Sequence, residues 1–262
     1  MKTNFTSPVW LQSASNVGKE GYEVISFYSN GAPTVVLSSI GDITITYRKE
    51  GSFDRMSLSE VAGESVYIPA DAGTEVKIRG VITEFSTFTN RPLYSGITSL
   101  NLSRSESLNK INITANNYLK ELDLSKNVNL EYFDAQQVYI SSYDFSNNVL
   151  LKRCNVQGND ELKMLDLGEN PNVETINIVA ANKLETIISK SSLLTTIGFT
   201  DNPALTRIDI YATTQDVATR VASAITNATS VDGTVTLRQG DEFNQTIIDA
   251  AMEKGWDVQY YQ

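Results

Sequence analysis

Four aspartates, Asp123, Asp144, Asp166 and Asp209, each sit at the centre of an apolar-x-apolar triplet, and Asn101 holds the same place one step earlier. In a strand the middle residue of such a triplet points away from the side that buries its neighbours. If successive triplets stack as adjacent strands, the carboxylates line up about 5 Å apart. Two kinds of chemistry use carboxylates at that spacing. One is collection of Ca²⁺, a hard cation that takes six to eight oxygens. The other is acid–base hydrolysis by a carboxylate pair. Against calcium, the chain has no D-x-D-x-D-G loop and no nonapeptide Gly-Asp motif; the acids can instead be solvated and hydrogen-bonded to neighbours such as Ser125 and Ser146. Against hydrolysis, a catalytic pair is singular and set in a cleft with shifted pKa values, whereas these acids are periodic among 31 Asp and Glu. No cofactor and no enzyme are therefore expected, with the acidic column kept as the alternative Ca²⁺ site.

Other chemistries are excluded more simply. The chain has no histidine, which removes the commonest general base and the commonest metal ligand. Its one cysteine, Cys154, takes an inward aliphatic position and has no base beside it, so it reads as a core residue. The net charge of −10 argues against a phosphate-tracking nucleic-acid groove. No apolar run is long enough to span a bilayer, so membrane insertion is not expected. The opening stretch MKTNFTSPVWLQSASNVGKEG lacks an apolar core of the kind a secretory leader needs. Either a leader was removed or none was used.

The elements that must position the aspartates form a repeat. Units of the form L-x-x-L-x-L begin at Ile97, Leu108, Leu119, Leu130, Ile140, Leu151, Leu162, Val173, Leu184, Leu194 and Leu205. Such self-similarity in register predicts a solenoid. The full period is two units, about 22 residues by the repeat scale of such folds. One class of unit carries the Asp column. The other carries Asn112, Asp134, Asn155 and Asn177 at the outward position. With Tyr132, Tyr139 and the Gln136–Gln137 pair nearby, this second column is the candidate contact face, since aromatics are favoured at interface cores. Asn116, Asn127, Asn148, Asn159, Asn170 and Asn202 recur eight residues into their units, where the chain must turn. Asparagine can both donate to and accept from a turning backbone, so these six read as a structural ladder.

LKELDLSKNVNLEYF and LKMLDLGENPNVETINI resemble leucine-rich repeats of the short bacterial type, as in surface proteins of Bacteroides-like bacteria. The resemblance covers Ile97 to about Ile210, and it implies a solenoid that recognises partners through its strand face without specifying them. Ile188 and Gly198 depart from it, standing where Asp or Asn stands elsewhere, and the turn asparagine is missing at Val138, Ala181 and Ser192.

The expected fold is therefore mixed. It comprises a polar arm at 1–20, a small antiparallel β domain at 21–90, a leucine-rich repeat solenoid with parallel ladders at 91–211 and an α/β cap at 212–262. Strands are expected at Val24–Tyr28, Thr34–Leu37, Asp42–Tyr47, Ser65–Ile68 and Glu75–Ile78. In the tail, helices are expected at 213–227 and 241–254. A solenoid has open apolar ends that must be covered, which is the expected task of that tail, with Trp256 as a packing residue. The expected function is non-catalytic adhesion or recognition of protein or glycan at a bacterial surface. The alternative is a structural or host-recognition part of a phage virion, suggested by a Met1 start without a leader. Oligomeric state is not legible.

Overall fold

The computed structural model describes residues 23–87 and 96–261. It is mixed and sheet-rich, with sixteen strands, several in parallel ladders, and two helices among the described residues. The polar arm expected at 1–20 and the boundary expected near 90 lie outside the described residues.

The first strands are β1 (Val24–Ser29), β2 (Thr34–Lys49), β3 (Ser52–Leu58), β4 (Ala62–Tyr67) and β5 (Glu75–Ser86). They pair antiparallel, β1 with β5 and β2 with β3, β4 and β5. Two strands expected in sequence, Thr34–Leu37 and Asp42–Tyr47, are one. The ladder to β5 slips between Ile40 and Thr44, at Gly41 with φ +73°. Gly80 faces this bulge at φ +140°, and a Cβ there would lie 2.7 Å from the Ile43 side chain. The bulge thus requires glycine on the facing strand. Strand β3 was not anticipated because its inner face is only half-buried, with Met56 and Leu58 against the core but Asp54 in line with them and Phe53 exposed on the other face, so its apolar alternation is too weak to mark a strand.

The next nine strands are β6 (Ile97–Arg104), β7 (Lys110–Asn112), β8 (Tyr132–Asp134), β9 (Arg153–Asn155), β10 (Met164–Leu167), β11 (Thr175–Asn177), β12 (Thr186–Ser189), β13 (Thr196–Gly198) and β14 (Arg207–Ile210). Strand β5 continues in parallel into β7, and the ladder runs on through β8, β9, β11 and β13. Phe85, Ile111, Phe133, Cys154, Ile176 and Ile197 form its inward row, all fully buried. The antiparallel strands and this ladder therefore share one eleven-stranded sheet.

The other side of the repeat behaves differently. Its first triplet, Leu100–Leu102, belongs to β6, which pairs antiparallel with β1. The next two triplets, at 122–124 and 143–145, were expected as strands but are not strands. β1 occupies one edge of β6, and no strand pairs with the other among the described residues. Tyr143 and Phe145 also fill the interior with rings, packed on Phe133 at centroid distances of 5.3 and 5.2 Å. The parallel ladder on this side begins only at β10 and continues through β12 and β14.

Buried asparagines bridge the gap. Asn127 donates to the carbonyls of Leu102 and Ser105, Asn148 to those of Leu124 and Asn127, and Asn170 to those of Phe145 and Asn148. Each amide thus ties its own turn to the preceding one through two backbone acceptors. On the fully laddered side, Asn116, Asn159 and Asn202 occupy every second turn. Asn159 reaches back to the Ala135 carbonyl, and Asn202 accepts from the Ala181 amide. The turns that carry Val138 and Ala181 are served by their neighbours. This side also has a left-handed residue just before each turn position, Ala115, Gln137, Gly158, Ala180 and Asp201.

The chain then passes through α1 (Gln215–Asn227), β15 (Thr234–Arg238), α2 (Asn244–Lys254) and β16 (Asp257–Tyr261). Thr214 caps α1 by accepting from the Val217 amide at 3.2 Å, and Val217, Val221 and Ile225 bury one face of it. Strands β15 and β16 extend the β10–β12–β14 ladder in parallel. Trp256 is buried and donates to the Ser230 carbonyl at 3.0 Å. A Cβ on Gly233 would fall 2.4 Å from its indole, so Gly233 makes room for the ring.

Candidate binding site

The register of the long ladder sets two outward rows. One holds Lys110, Tyr132, Arg153, Thr175 and Thr196; the other holds Asn112, Asp134, Asn155, Asn177 and Gly198. Four of the residues expected at the contact face thus share one row, and Tyr132 stands in the next. The row is internally bonded. Asn155 donates to Asp134 at 2.7 Å, Arg153 pairs with Asp134 at 3.3 Å, and Asn177 donates to Gln157 at 3.2 Å. Asn112 accepts from the Thr114 amide at 3.0 Å. Asn155 is itself buried, so the accessible atoms of the face belong chiefly to Lys110, Tyr132 and Arg153. Tyr139 lies elsewhere, past the left-handed corner. It carries Lys120 over its ring at 4.6 Å and lines a shallow hollow with Gln137 and Asp160.

The acidic residues serve the turns. Asp123, Asp144 and Asp166 each accept from the amide two residues on, at Ser125, Ser146 and Gly168, over 2.8–2.9 Å. Asn101 does the same with Ser103. This local bond lets a short polar side chain fix the chain as it leaves the strand. Hydrogen bonds from Ser125 hold the Asp123 carboxyl below the usual carboxylate range, and those from Ser146 do the same for Asp144. Among the described residues, no cluster of three or more acids or cysteines is placed to hold a metal ion.

Asp209 departs from this pattern. Register puts it in line with Asp166 and Ile188, yet the Tyr211 amide bonds to Ser189, not to Asp209. Asp209 is 2% exposed, and its Oδ2 pairs with Arg207 at 2.5 Å. A cavity of about 410 Å³ opens above it, running from Asp144 past Met164 and Ile188 to Tyr261. Tyr261 packs edge-on against Tyr211 at 5.5 Å and carries Lys190 over its ring at 4.8 Å. Burial, then the nearby Asp209 carboxylate, pushes the Tyr261 phenol well above its ordinary pKa. A scan against protein-family models finds no match for this chain, and a search of curated proteins finds none either. The geometry alone therefore carries the reading.

Sequence reasoning singled out Asp144, Asp166 and Asp209 but missed Lys190, Arg207 and Tyr261. Arg207 was readable, because residues two apart on a strand share a face and Arg207-x-Asp209 is such a pair. Tyr261 was not: it reaches the site through β15, α2 and β16, and no spacing in the sequence encodes that return.

Proposed function

We propose that the chain is a leucine-rich repeat solenoid, closed at its C-terminal end by the α/β segment, that recognises a protein or glycan at a bacterial surface without catalysis. The observation that carries this reading is the pre-bonded outward face of the ladder from β5 to β13. Six parallel strands about 4.8 Å apart set side chains over roughly 24 Å. Lys110, Asp134, Arg153, Asn155 and Asn177 are already held by neighbouring side chains, so little of their freedom is lost on binding. The acids argue in the same direction. A glycosidase needs one carboxyl with a raised pKa as proton donor, whereas Asp123 and Asp144 are held low. Cys154 is fully buried and its thiol is pushed up by that burial, which suits a core residue and not a nucleophile.

The test has two steps. Fractionation of producing cells with mass spectrometry should find the chain in the envelope or secreted fraction. Arrayed host proteins and glycans should then capture purified protein, and Tyr132→Ala with Arg153→Ala should weaken that capture. Confinement to the cytosol, or turnover of a captured molecule, would sink the proposal.

A further inference from the structure

The repeat accounts for every outward carboxylate in the acidic column except one. Asp123, Asp144 and Asp166 spend an oxygen on the amide two residues on. Asp209 does not, and its Oδ1 is buried with no hydrogen-bond partner among the described residues. The Tyr261 hydroxyl is in the same condition. Both residues line the cavity above Ile188, one offering an acceptor and the other a donor. Leaving such groups unbonded is costly, and a ligand hydroxyl set between them would satisfy both.

The floor and the charge narrow the ligand further. Ile188, where the repeat elsewhere has Asp or Asn, is flanked in register by Asp166 and Asp209. An apolar floor between carboxylates suits a ring with a C–H face and hydroxyls at its rim. The cavity also contains Asp144 and Glu169, against only Lys190 and Arg207. Arg207 is already engaged by Asp209, so an anion is disfavoured. Asp166 and Asp209 stand two strand spacings apart, about 10 Å, which is the reach of a disaccharide.

We propose that this cavity is a saccharide-binding site for neutral sugars, with Asp209 and Tyr261 gripping a shared hydroxyl and Ile188 supporting the ring. The proposal rests on the recognition reading above only in taking the chain to be a binder. The full chain would be tested by saturation-transfer NMR and calorimetry against maltose, cellobiose, lactose, mannobiose and diacetylchitobiose, with a lysine-rich peptide as the cationic control. At least one sugar should bind. Tyr261→Phe should weaken it about tenfold, as expected for loss of one buried hydrogen bond. Asp209→Asn should weaken it further, and Ile188→Asp should do so by removing the floor. Should Asp209→Asn fail to fold, Tyr261→Phe decides the matter, because it removes only an unbonded hydroxyl. Binding of no sugar in the panel, binding of the peptide alone, or sugar binding indifferent to Tyr261→Phe would overturn the proposal. The wider recognition reading would survive any of these if array capture still depended on Tyr132 and Arg153.

Discussion

The two sides of the repeat share one consensus but hold their turns together differently. On the side of β7, β8, β9, β11 and β13, backbone ladders run without a break, and side-chain amides are needed only at every second turn. On the side of Asp123 and Asp144 no parallel ladder forms before β10, and Asn127, Asn148 and Asn170 supply the links at successive turns. Where the ladder runs on at β12, buried Ser191, and not the exposed Ser192 expected from spacing, takes the place of the turn asparagine and bonds to the Pro171 carbonyl. A buried carbonyl must find a donor, and the comparison shows that an amide side chain serves as well as a neighbouring strand.

The largest effect that sharpens this contrast is expected in the core. Leu165 lies on β10, where the parallel ladder of the broken side begins, and is fully buried, whereas Leu122 on the strandless stretch is only partly buried. Leu165→Ala should cost about 2–5 kcal/mol and Leu122→Ala clearly less, because the transfer and cavity terms both scale with burial. Urea unfolding of the two variants checks this; equal costs would mean that the strandless stretch packs as tightly as the ladder. Asn148→Ala comes next. It strips donors from the buried carbonyls of Leu124 and Asn127, at about 2–4 kcal/mol by the usual penalty for orphaned polar groups. Hydrogen exchange on the same variant should show its loss of protection concentrated at 122–148. Protection lost instead across β8 and β9 would show that the amide chain supports the whole repeat and not the broken side alone.

The repeat and its inward rows were legible because leucine spacing survives in sequence whatever the backbone does between leucines. Leu119, Leu130 and Leu151 are all buried as their spacing requires. The failure of the ladder at 122–124 and 143–145 was not legible, since these triplets look like any others. The left-handed corners were equally hidden. Only Gly158 among the five announces one by its type, because Ala115, Gln137, Ala180 and Asp201 accept a conformation usually left to glycine. At the candidate site, the departure of Ile188 from the repeat was visible in the sequence, while its meaning depended on Tyr261 arriving from the last strand.

Those corners give a smaller effect with opposite signs on the two sides. Ala180→Gly should stabilise by about 0.5 kcal/mol, since a left-handed alanine costs roughly 1–2 kcal/mol and glycine returns part of that as chain entropy. Glu169 holds the matching place on the other side without a positive φ, so Glu169→Gly should destabilise by about 0.5–1 kcal/mol. Thermal unfolding of the pair measures the difference; a shared sign would mean that the two corners are not the distinct conformations described above.

The smallest effect concerns the exposed carboxylates of the broken side. Asp123 and Asp144 have folded pKa values below their ordinary ones because Ser125 and Ser146 hydrogen-bond to the charged form. A depressed folded pKa contributes stability that is fully present above the unfolded value, near 3.9, and is lost as pH falls through the lower folded value. Asparagine can accept the same amide bond without titrating. The double variant Asp123→Asn/Asp144→Asn should therefore match the parent to within about 0.5 kcal/mol at neutral pH, given solvent screening at exposed sites. It should also lose less of its urea resistance than the parent between pH 5 and pH 3, the window set by that unfolded pKa. An undiminished acid loss in the variant would move the acid sensitivity to other carboxylates, with Asp71, held low by the Gly51 and Glu50 amides, the first to examine.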